Sequence, residues 1–184
     1  HNMIGITERL SEHQAHPVAG APRERLWQVR AREVVLATGA IERPLVFPDN
    51  DRPGVLLADA ARIYLNRYGV KPGKRVVVAT GHDEAYRAAL DMHRAGVEIA
   101  AIVDARPYPR GPLVEAAKAA GLTVKGGYAI TGTIGELRVK GAYIAPIIAA
   151  GQVGQTETLS CDAVLMSGGF TPSVHLFSQS RGKV

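Results

Sequence analysis

The feature that most constrains this fold is an alternation of apolar strands and amphipathic helices across residues 75–127. The segments that predict strands are RVVVATG, VEIAAIVD and LTVKGG, and a helical pattern that ends at a glycine separates each from the next. Strands joined through helices in this way run parallel, and the helices pack on the faces of the sheet. Residues 75–127 therefore predict half of a dinucleotide-binding α/β fold.

The pattern changes at Gly126 and Gly127. Residues 128–160 show period-two stretches separated by glycines and no helical periodicity, which predicts an antiparallel meander. The apolar run 162–168 predicts a return to the parallel sheet, and residues 56–69 predict a helix. The expected fold class is α/β, with a three-layer, Rossmann-like parallel sheet of the FAD/NAD(P)-binding type and an antiparallel β-meander.

The residues before the first predicted helix have a different pattern. Residues 3–9 and 26–31 predict short strands, and EVVLATG, residues 33–39, predicts a strand that is covered on both faces. A loop with two Arg-Pro pairs follows, and proline disfavours helix there. We interpret residues 1–55 as the last strands of a truncated first nucleotide-binding domain plus a crossing loop. Residues 56–184 are interpreted as a second, inserted nucleotide-binding-like domain.

The end of the predicted strand 33–39 is the first candidate site. Small residues bring the backbone close to the carboxyl edge of a sheet, where open α/β folds bind cofactors. Four of them are predicted to bind a cofactor: Ala37, Thr38, Gly39 and Ala40. Arg43 follows and could bind an anion with two parallel hydrogen bonds. Alternatively, Arg43 only pairs at the surface with Glu42 or Asp49.

The turn after the strand 75–80 is the second candidate site. A phosphate-binding turn has the pattern G-x-G-x-x-G, but here only Gly81 is present, and Asp83 and Tyr86 replace the other two glycines. Asp104 ends the next predicted strand, where an acid could bind a ribose hydroxyl or only form a turn. Asp83 and Glu84 would repel a pyrophosphate and cap the helix themselves. A capped helix is therefore favoured over tight NAD binding, and Gly81 and Asp104 are secondary cofactor candidates.

The composition and the motifs of the sequence predict several absences. The net charge of +5 is dispersed and only 5% of residues are aromatic, so no nucleic-acid partner is expected. No apolar run approaches the ~20 residues of a membrane span. No secretory signal is evident, and a single cysteine, Cys161, fits a reducing compartment, so a cytoplasmic protein is expected. The histidines lack metal-ligand spacing and no G-x-S-x-G is present, so neither a metal site nor a catalytic residue is predicted.

Three longer segments carry a resemblance to a known family. They are RLWQVRAREVVLATGAIERPLVFPDNDRPGV, then YLNRYGV with GKRVVV, and finally CDAVLMSGGFTPSVHLFSQSRGK. These segments resemble the alpha subunit of heterotetrameric sarcosine oxidase, within the flavoproteins that have two dinucleotide domains and are similar to pyridine nucleotide-disulfide reductases. His1 and Asn2 resemble the YDHN strand of that family. Opine-oxidase-like and cyanide-forming relatives share the region around Arg43.

The resemblance implies that this chain is a central fragment of a much longer subunit. In that family an upstream nucleotide domain holds NAD, a downstream domain binds tetrahydrofolate, and FAD and FMN lie with or beside the beta subunit. The implied partners are the beta, gamma and delta subunits, and the implied reaction is oxidative demethylation of sarcosine to glycine with oxygen as acceptor. The fragment itself would be structural and not catalytic. The alternatives are a component of an opine-oxidase-like or other amine dehydrogenase, a free-standing degenerate NAD-binding module and a scaffold domain.

Overall fold

The computed structural model describes residues 3–181, so the expectation about His1 and Asn2 lies outside the described residues. The described chain forms two compact units. Residues 40–172 form the larger unit, and residues 3–39 together with 173–181 form the smaller unit. The assignment of residues 1–55 and 56–184 to two nucleotide-binding domains stays a prediction.

Thirteen strands and four helices occur within the described residues. The strands are β1 (Met3–Arg9), β2 (Glu24–Arg30), β3 (Ala40–Glu42), β4 (Val55–Leu57), β5 (Arg75–Thr80), β6 (Glu98–Asp104), β7 (Val124–Gly126), β8 (Tyr128–Ile134), β9 (Gly141–Ala149), β10 (Gln152–Val153), β11 (Glu157–Ser160), β12 (Ala163–Ser167) and β13 (Phe170–Pro172). The helices are α1 (Ala58–Tyr68), α2 (Glu84–Arg94), α3 (Pro112–Ala119) and α4 (His175–Gln179).

A five-stranded parallel sheet lies at the centre of the larger unit. Its strand order is β4-β12-β5-β6-β7, and every pair in it is parallel. The predicted parallel sheet is therefore confirmed. Strand β4 was not predicted, because its three residues are apolar and directly precede α1, so they continue the helical pattern at the sequence level.

The helices α1, α2 and α3 cover one face of the parallel sheet. Alternate residues of the strands, such as Val76 and Val78 of β5 and Leu165 of β12, point to that face and are buried among them. Helix α1 ends where the sequence predicts, because Gly69 adopts a left-handed conformation with φ of 68° and donates its backbone N–H to Leu65. The helical layer is thus the first of three.

An antiparallel meander covers the opposite face. Strand β9 is its central strand and pairs with β8, β10 and β11. Val77 and Met166 of the parallel sheet pack in the same apolar cluster as Ile130 and Ile144 of the meander, and Phe47 of the preceding loop joins them. The three-layer fold class and the meander over residues 128–160 are therefore confirmed.

A two-stranded ladder lies where the chain enters and leaves the larger unit. Strands β3 and β13 pair antiparallel, with Ala40 opposite Pro172 and Glu42 opposite Phe170. The backbone of Arg43 also exchanges two hydrogen bonds with Gly168 and Gly169. The larger unit therefore begins and ends at neighbouring strands.

The smaller unit contains the β1–β2 hairpin and α4. Both predicted strands of the hairpin are confirmed, and they pair antiparallel from Met3 opposite Arg30 to Arg9 opposite Glu24. The predicted buried strand over residues 33–39 is wrong for this chain. These residues have no strand ladder within the described part, and Val35 is 90% exposed. A strand covered on both faces requires neighbouring strands and layers, and this unit does not supply them.

Candidate functional site

A cleft lies at the carboxyl ends of β5, β6 and β12, the edge at which open α/β sheets bind ligands. Its volume is about 270 Å³, and Leu45, Val46 and Phe47 of the loop before β4 line one part of it. The other lining residues come from the sheet edge and from β8: Ala79, Thr80, Gly81, Val103, Ala105, Tyr128, Ala129, Ile130 and Gly168. All of the lining residues are apolar or uncharged.

Gly81 lies in the turn that leads from β5 into α2 and lines this cleft. The turn is fixed by Thr80, whose hydroxyl lies 3.1 Å from both the backbone N–H and the carbonyl of His82. The structure therefore places Gly81 at the carboxyl edge, as the sequence pattern predicts, and its cofactor role stays a prediction.

Asp104, the other secondary candidate, lies at the end of β6 and is fully buried. Its carboxylate accepts a hydrogen bond of 2.8 Å from the Tyr86 hydroxyl. Arg106 contributes three more, from its backbone N–H at 2.9 Å and from its guanidinium at 3.1 and 2.8 Å. Both carboxylate oxygens are therefore engaged by side chains of the same unit.

Asp83 does not cap helix α2 in the expected way. It occupies the N-cap position with helical backbone angles and forms no side-chain capping hydrogen bond. Instead its Oδ1 lies 2.8 Å from Nη1 of Arg106, in an ion pair. The expected capping is thus wrong for Asp83, because the neighbouring guanidinium attracts its carboxylate away from the helix end.

The electrostatics of this group follow from its burial and its hydrogen bonds. Burial together with the bond to Asp104 raises the pKa of Tyr86 above its ordinary value, so the phenol remains a proton donor. The hydrogen bond to Asp104 raises the pKa of Arg106, with a further contribution from Asp83. We call Asp83, Tyr86, Asp104 and Arg106 the Arg106 network.

A second polar pair lies beside the network. Nε2 of His82 is 2.7 Å from the hydroxyl of Ser167, which is fully buried at the end of β12. Nδ1 of His82 accepts the backbone N–H of Glu84 at 3.3 Å, and the ring meets Phe170 edge-on. Since Nδ1 is an acceptor, Nε2 carries the proton and donates a hydrogen bond to the Ser167 hydroxyl. Burial is the main cause of a lowered pKa of His82.

Arg43 lies beside the glycines that follow β12. The guanidinium of Arg43 packs against Gly169, since a Cβ added to that glycine would lie 3.3 Å from Nη2 of Arg43. The two acids that could have paired with it at the surface are otherwise engaged. Glu42 accepts the backbone N–H of Asp59 at the start of α1, and Asp49 pairs with Arg52.

The four small residues around Gly39 are exposed. The hydroxyl of Thr38 donates a hydrogen bond to the carbonyl of Ser173, and the backbone N–H of Ser173 donates to the carbonyl of Gly39. Gly39 has a φ of 70°, a conformation that residues with a Cβ rarely adopt. The cofactor role of Ala37, Thr38, Gly39, Ala40 and Arg43 stays a prediction.

Sequence reasoning missed the residues that organise the carboxyl edge. Arg106 was not singled out, and Tyr86 was noted only as a departure from the glycine pattern. A signal was present, since Arg106 follows the strand-ending Asp104 by two residues and a buried carboxylate requires a partner. The bond between His82 and Ser167 joins residues 85 positions apart and had no local signal.

Two features are absent from the described residues. Within residues 3–181, no group of three or more His, Cys, Asp or Glu side chains is arranged to hold a metal ion. No helix in the same part of the chain has both the length and the apolar character needed to cross a bilayer.

A dinucleotide does not fit the turn after β5 as it stands. The pyrophosphate would meet the carboxylate of Asp83 at the helix N-terminus, and the ribose-binding acid, Asp104, already accepts four hydrogen bonds. Tyr86 fills the place where the third glycine would allow close packing.

No family model matches the chain. The alpha subunit of sarcosine oxidase from Rhizobium meliloti (strain 1021) is 42% identical over 182 residues, which are 99% of this chain and 17% of that relative. Its counterpart from Corynebacterium sp. (strain P-1) is 42% identical over 188 residues, which are 100% of this chain and 19% of that relative. The predicted resemblance to these proteins is confirmed, and the chain spans about a fifth of their length.

More distant similarities agree with the fold. An opine oxidase component from Agrobacterium tumefaciens (strain Ach5) is 35% identical over 59% of this chain and 19% of that relative. Thioredoxin reductase from T. acidophilum superposes with a TM-score of 0.61 over 74% of this chain and 44% of that chain, at 18% identity. L-proline dehydrogenase from P. horikoshii superposes with a TM-score of 0.58 over 86% of this chain and 25% of that chain, at 24% identity. Both superpositions support the FAD/NAD(P)-binding fold class.

Proposed function

We propose that this chain is a segment of the alpha subunit of a sarcosine oxidase-like flavoenzyme. The observation that carries the proposal is 38–42% identity to three such subunits over 99–100% of the chain. In the whole enzyme, sarcosine would be demethylated oxidatively to glycine, with oxygen as the acceptor. The proposed setting is the cytoplasm, in a complex with beta, gamma and delta subunits.

The proposed role of this segment is to support the cofactors rather than to carry out the chemistry. The residues that line the cleft are apolar or uncharged, and the neighbouring ionisable groups are bound to each other. A general acid or base needs a proton-accepting or proton-donating atom that can reach a substrate, whereas the Asp104 carboxylate and the Arg106 guanidinium are bound to each other. FAD, FMN and tetrahydrofolate are proposed to bind outside this segment.

The proposed substrate would be tested by comparing turnover of two amines by the assembled enzyme. Oxygen consumption would be measured with sarcosine and with an opine as alternative substrates. We expect turnover with sarcosine and little with the opine, because the identity to the opine oxidase component is lower and covers 59% of the chain. Preferential turnover of the opine would contradict the proposal and would indicate an opine-oxidase-like enzyme.

The proposed NAD site of the whole subunit is tested at Gly39. A Gly39→Val substitution would place a branched side chain among the small residues Ala37, Thr38 and Ala40 and is expected to lower the NAD content of the purified complex. Because Gly39 has a φ of 70°, valine there also strains the backbone. Gly20→Val is the matched control, since Gly20 lies in the same unit with a φ of 79° and is equally unobstructed. Equal NAD content in both variants would make the Gly39 position purely structural.

A further inference from the structure

The Arg106 network spans the places that a dinucleotide would occupy in this unit. Asp104 stands where a ribose-binding acid ends the second strand, and Asp83 stands where the second glycine admits the pyrophosphate. Arg106 contacts both, with 2.8 Å from Nη2 to Asp104 and 2.8 Å from Nη1 to Asp83. We propose that the Arg106 side chain permanently replaces the dinucleotide of the larger unit, so that this unit keeps the fold of a nucleotide domain without binding the nucleotide.

The buried charge of Asp104 is compensated by Arg106 and not by an outside ligand. Asp104 is fully buried, and a buried carboxylate needs a cation or several donors. Arg106 supplies three hydrogen bonds to it and Tyr86 supplies a fourth. A phosphate in this place would instead face Asp83 and Glu84 and would gain no cation, because the guanidinium is already shared between two acids.

The packing around the network holds Arg106 in position. A Cβ at Gly111 would lie 2.7 Å from Oδ2 of Asp83, so the loop before α3 approaches the network closely. The backbone N–H of Gly127 donates to the carbonyl of Arg106 at 2.8 Å. Moving the guanidinium aside would therefore leave Asp104 buried with fewer partners.

An arginine after the second strand can also serve a different purpose, since in some nucleotide domains such a residue binds the 2′-phosphate of NADP. That role requires free donors. Here Nε and Nη2 of Arg106 bond to Asp104, and Nη1 faces Asp83. The contacts therefore favour replacement of the ligand over its recognition, and labelling with NADP as well as NAD separates the two.

The test maps nucleotide binding by photolabelling of the whole subunit. Azido derivatives of NAD and NADP would be cross-linked, and labelled peptides would be identified by mass spectrometry. In the wild type we expect only background label in peptides from residues 80–111, whatever binds elsewhere in the protein. The double variant Asp83→Gly with Arg106→Ser is expected to gain label there that unlabelled NAD removes. Arg110→Ser, an exposed position of the same loop, is the matched control and is expected to stay at background.

Several results would overturn the inference. One is wild-type label in residues 80–111 that NAD or NADP removes, and loss of that label in Arg106→Ser would assign Arg106 to nucleotide recognition. Another is a double variant that is folded by circular dichroism and still unlabelled, because the network would then not be what excludes the ligand. The wild-type measurement does not depend on how the variants fold. None of these results changes the substrate measured by oxygen consumption, so failure here is distinguishable from failure of the proposed function.

Discussion

The two compact units of this chain bury their apolar residues to very different extents. In the larger unit the parallel sheet is covered by helices on one face and by the meander on the other, and Leu165 is 0% exposed. In the smaller unit the β1–β2 hairpin is mostly exposed, with Leu26 at 68% and Trp27 at 47%. The comparison teaches that apolar strand segments alone do not make a core. They also need the layers against which they pack.

The side-chain contacts within the hairpin of the smaller unit are polar and lie at its surface. Glu8 accepts the indole N–H of Trp27 at 2.8 Å and pairs with Arg25 at 3.2 Å. An isolated two-stranded hairpin is only marginally stable in water, and exposed ion pairs add little. The hairpin therefore gains little stability from these contacts.

The largest expected effect is the difference in the free energy of unfolding between two variants, each of which truncates one leucine, in the larger or in the smaller unit. Leu165→Ala in β12 should cost about 3 kcal/mol, because it leaves a cavity in a sheet that is buried on both faces. Leu26→Ala is the matched control in the exposed hairpin and should cost less than about 0.5 kcal/mol. Both are measured by urea denaturation of this chain. Equal losses would show that the smaller unit has a core of its own.

A smaller effect is expected when one carboxylate of each unit is removed. Asp162 accepts the backbone N–H groups of Lys74 and Arg75 at 2.9–3.0 Å, so Asp162→Ala should cost about 2 kcal/mol. Glu8→Ala removes a surface ion pair and an exposed hydrogen bond and should cost less than about 1 kcal/mol. Thermal denaturation of both variants compares them directly. A greater loss from Glu8→Ala would reverse the ranking of the two units.

The acid sensitivity of Asp162 has a definite sign. Burial opposes ionisation of this carboxylate, but the backbone N–H groups of Lys74 and Arg75 outweigh it and lower the pKa. A group whose pKa is lower in the folded chain stabilises the fold above its unfolded pKa of about 3.9. That stabilisation is lost as the pH falls through the lower folded value, so the difference between wild type and Asp162→Ala should shrink in strong acid.

The smallest expected effect is on the slope of stability against pH near pH 6. His82 has a lowered pKa in the larger unit, mainly through burial, while the carboxylate of Glu42 acts in the opposite direction. As the pH falls below the unfolded value of about 6.5, the unfolded chain takes up a proton that the folded chain resists, so stability declines. His82→Gln should flatten this decline when the free energy of unfolding is measured across this pH range. An unchanged slope in His82→Gln would mean that protonation of His82 is not what lowers the stability of the folded chain in this range.

Most of the larger unit was predictable because its signals are local. Helix α2 and strand β6 follow from apolar spacing and from the glycine after each helix, and the change at Gly127 correctly marks the meander. The period of the apolar residues carries this information within a window of a few residues. The elements of the larger unit therefore required no knowledge of distant contacts.

The remaining features depend on partners that a local pattern does not contain. Residues 33–39 have the pattern of a buried strand, but whether they pair depends on strands outside their window. The bond from Tyr86 to Asp104 and the pairing of Arg106 with Asp83 link α2 to β6 and to the loop after β6. Gly81 was thus predicted at the sheet edge where the cleft lies, whereas the side-chain contacts around it emerged only from the fold.

The ladder between β3 and β13 has a consequence for the order of events during synthesis. Thr38 bonds to Ser173, which lies 135 residues later in the chain. Once the larger unit has folded, Ala40 and Pro172 are paired. The entropy cost of bringing Thr38 and Ser173 together is then already met by the fold of the residues between them. The contact between Thr38 and Ser173 then forms as readily as a local turn. It forms only after the ribosome has released the residues beyond 173. A substitution that slows folding of the larger unit would therefore delay assembly of the smaller unit, even where no residue of the smaller unit is changed.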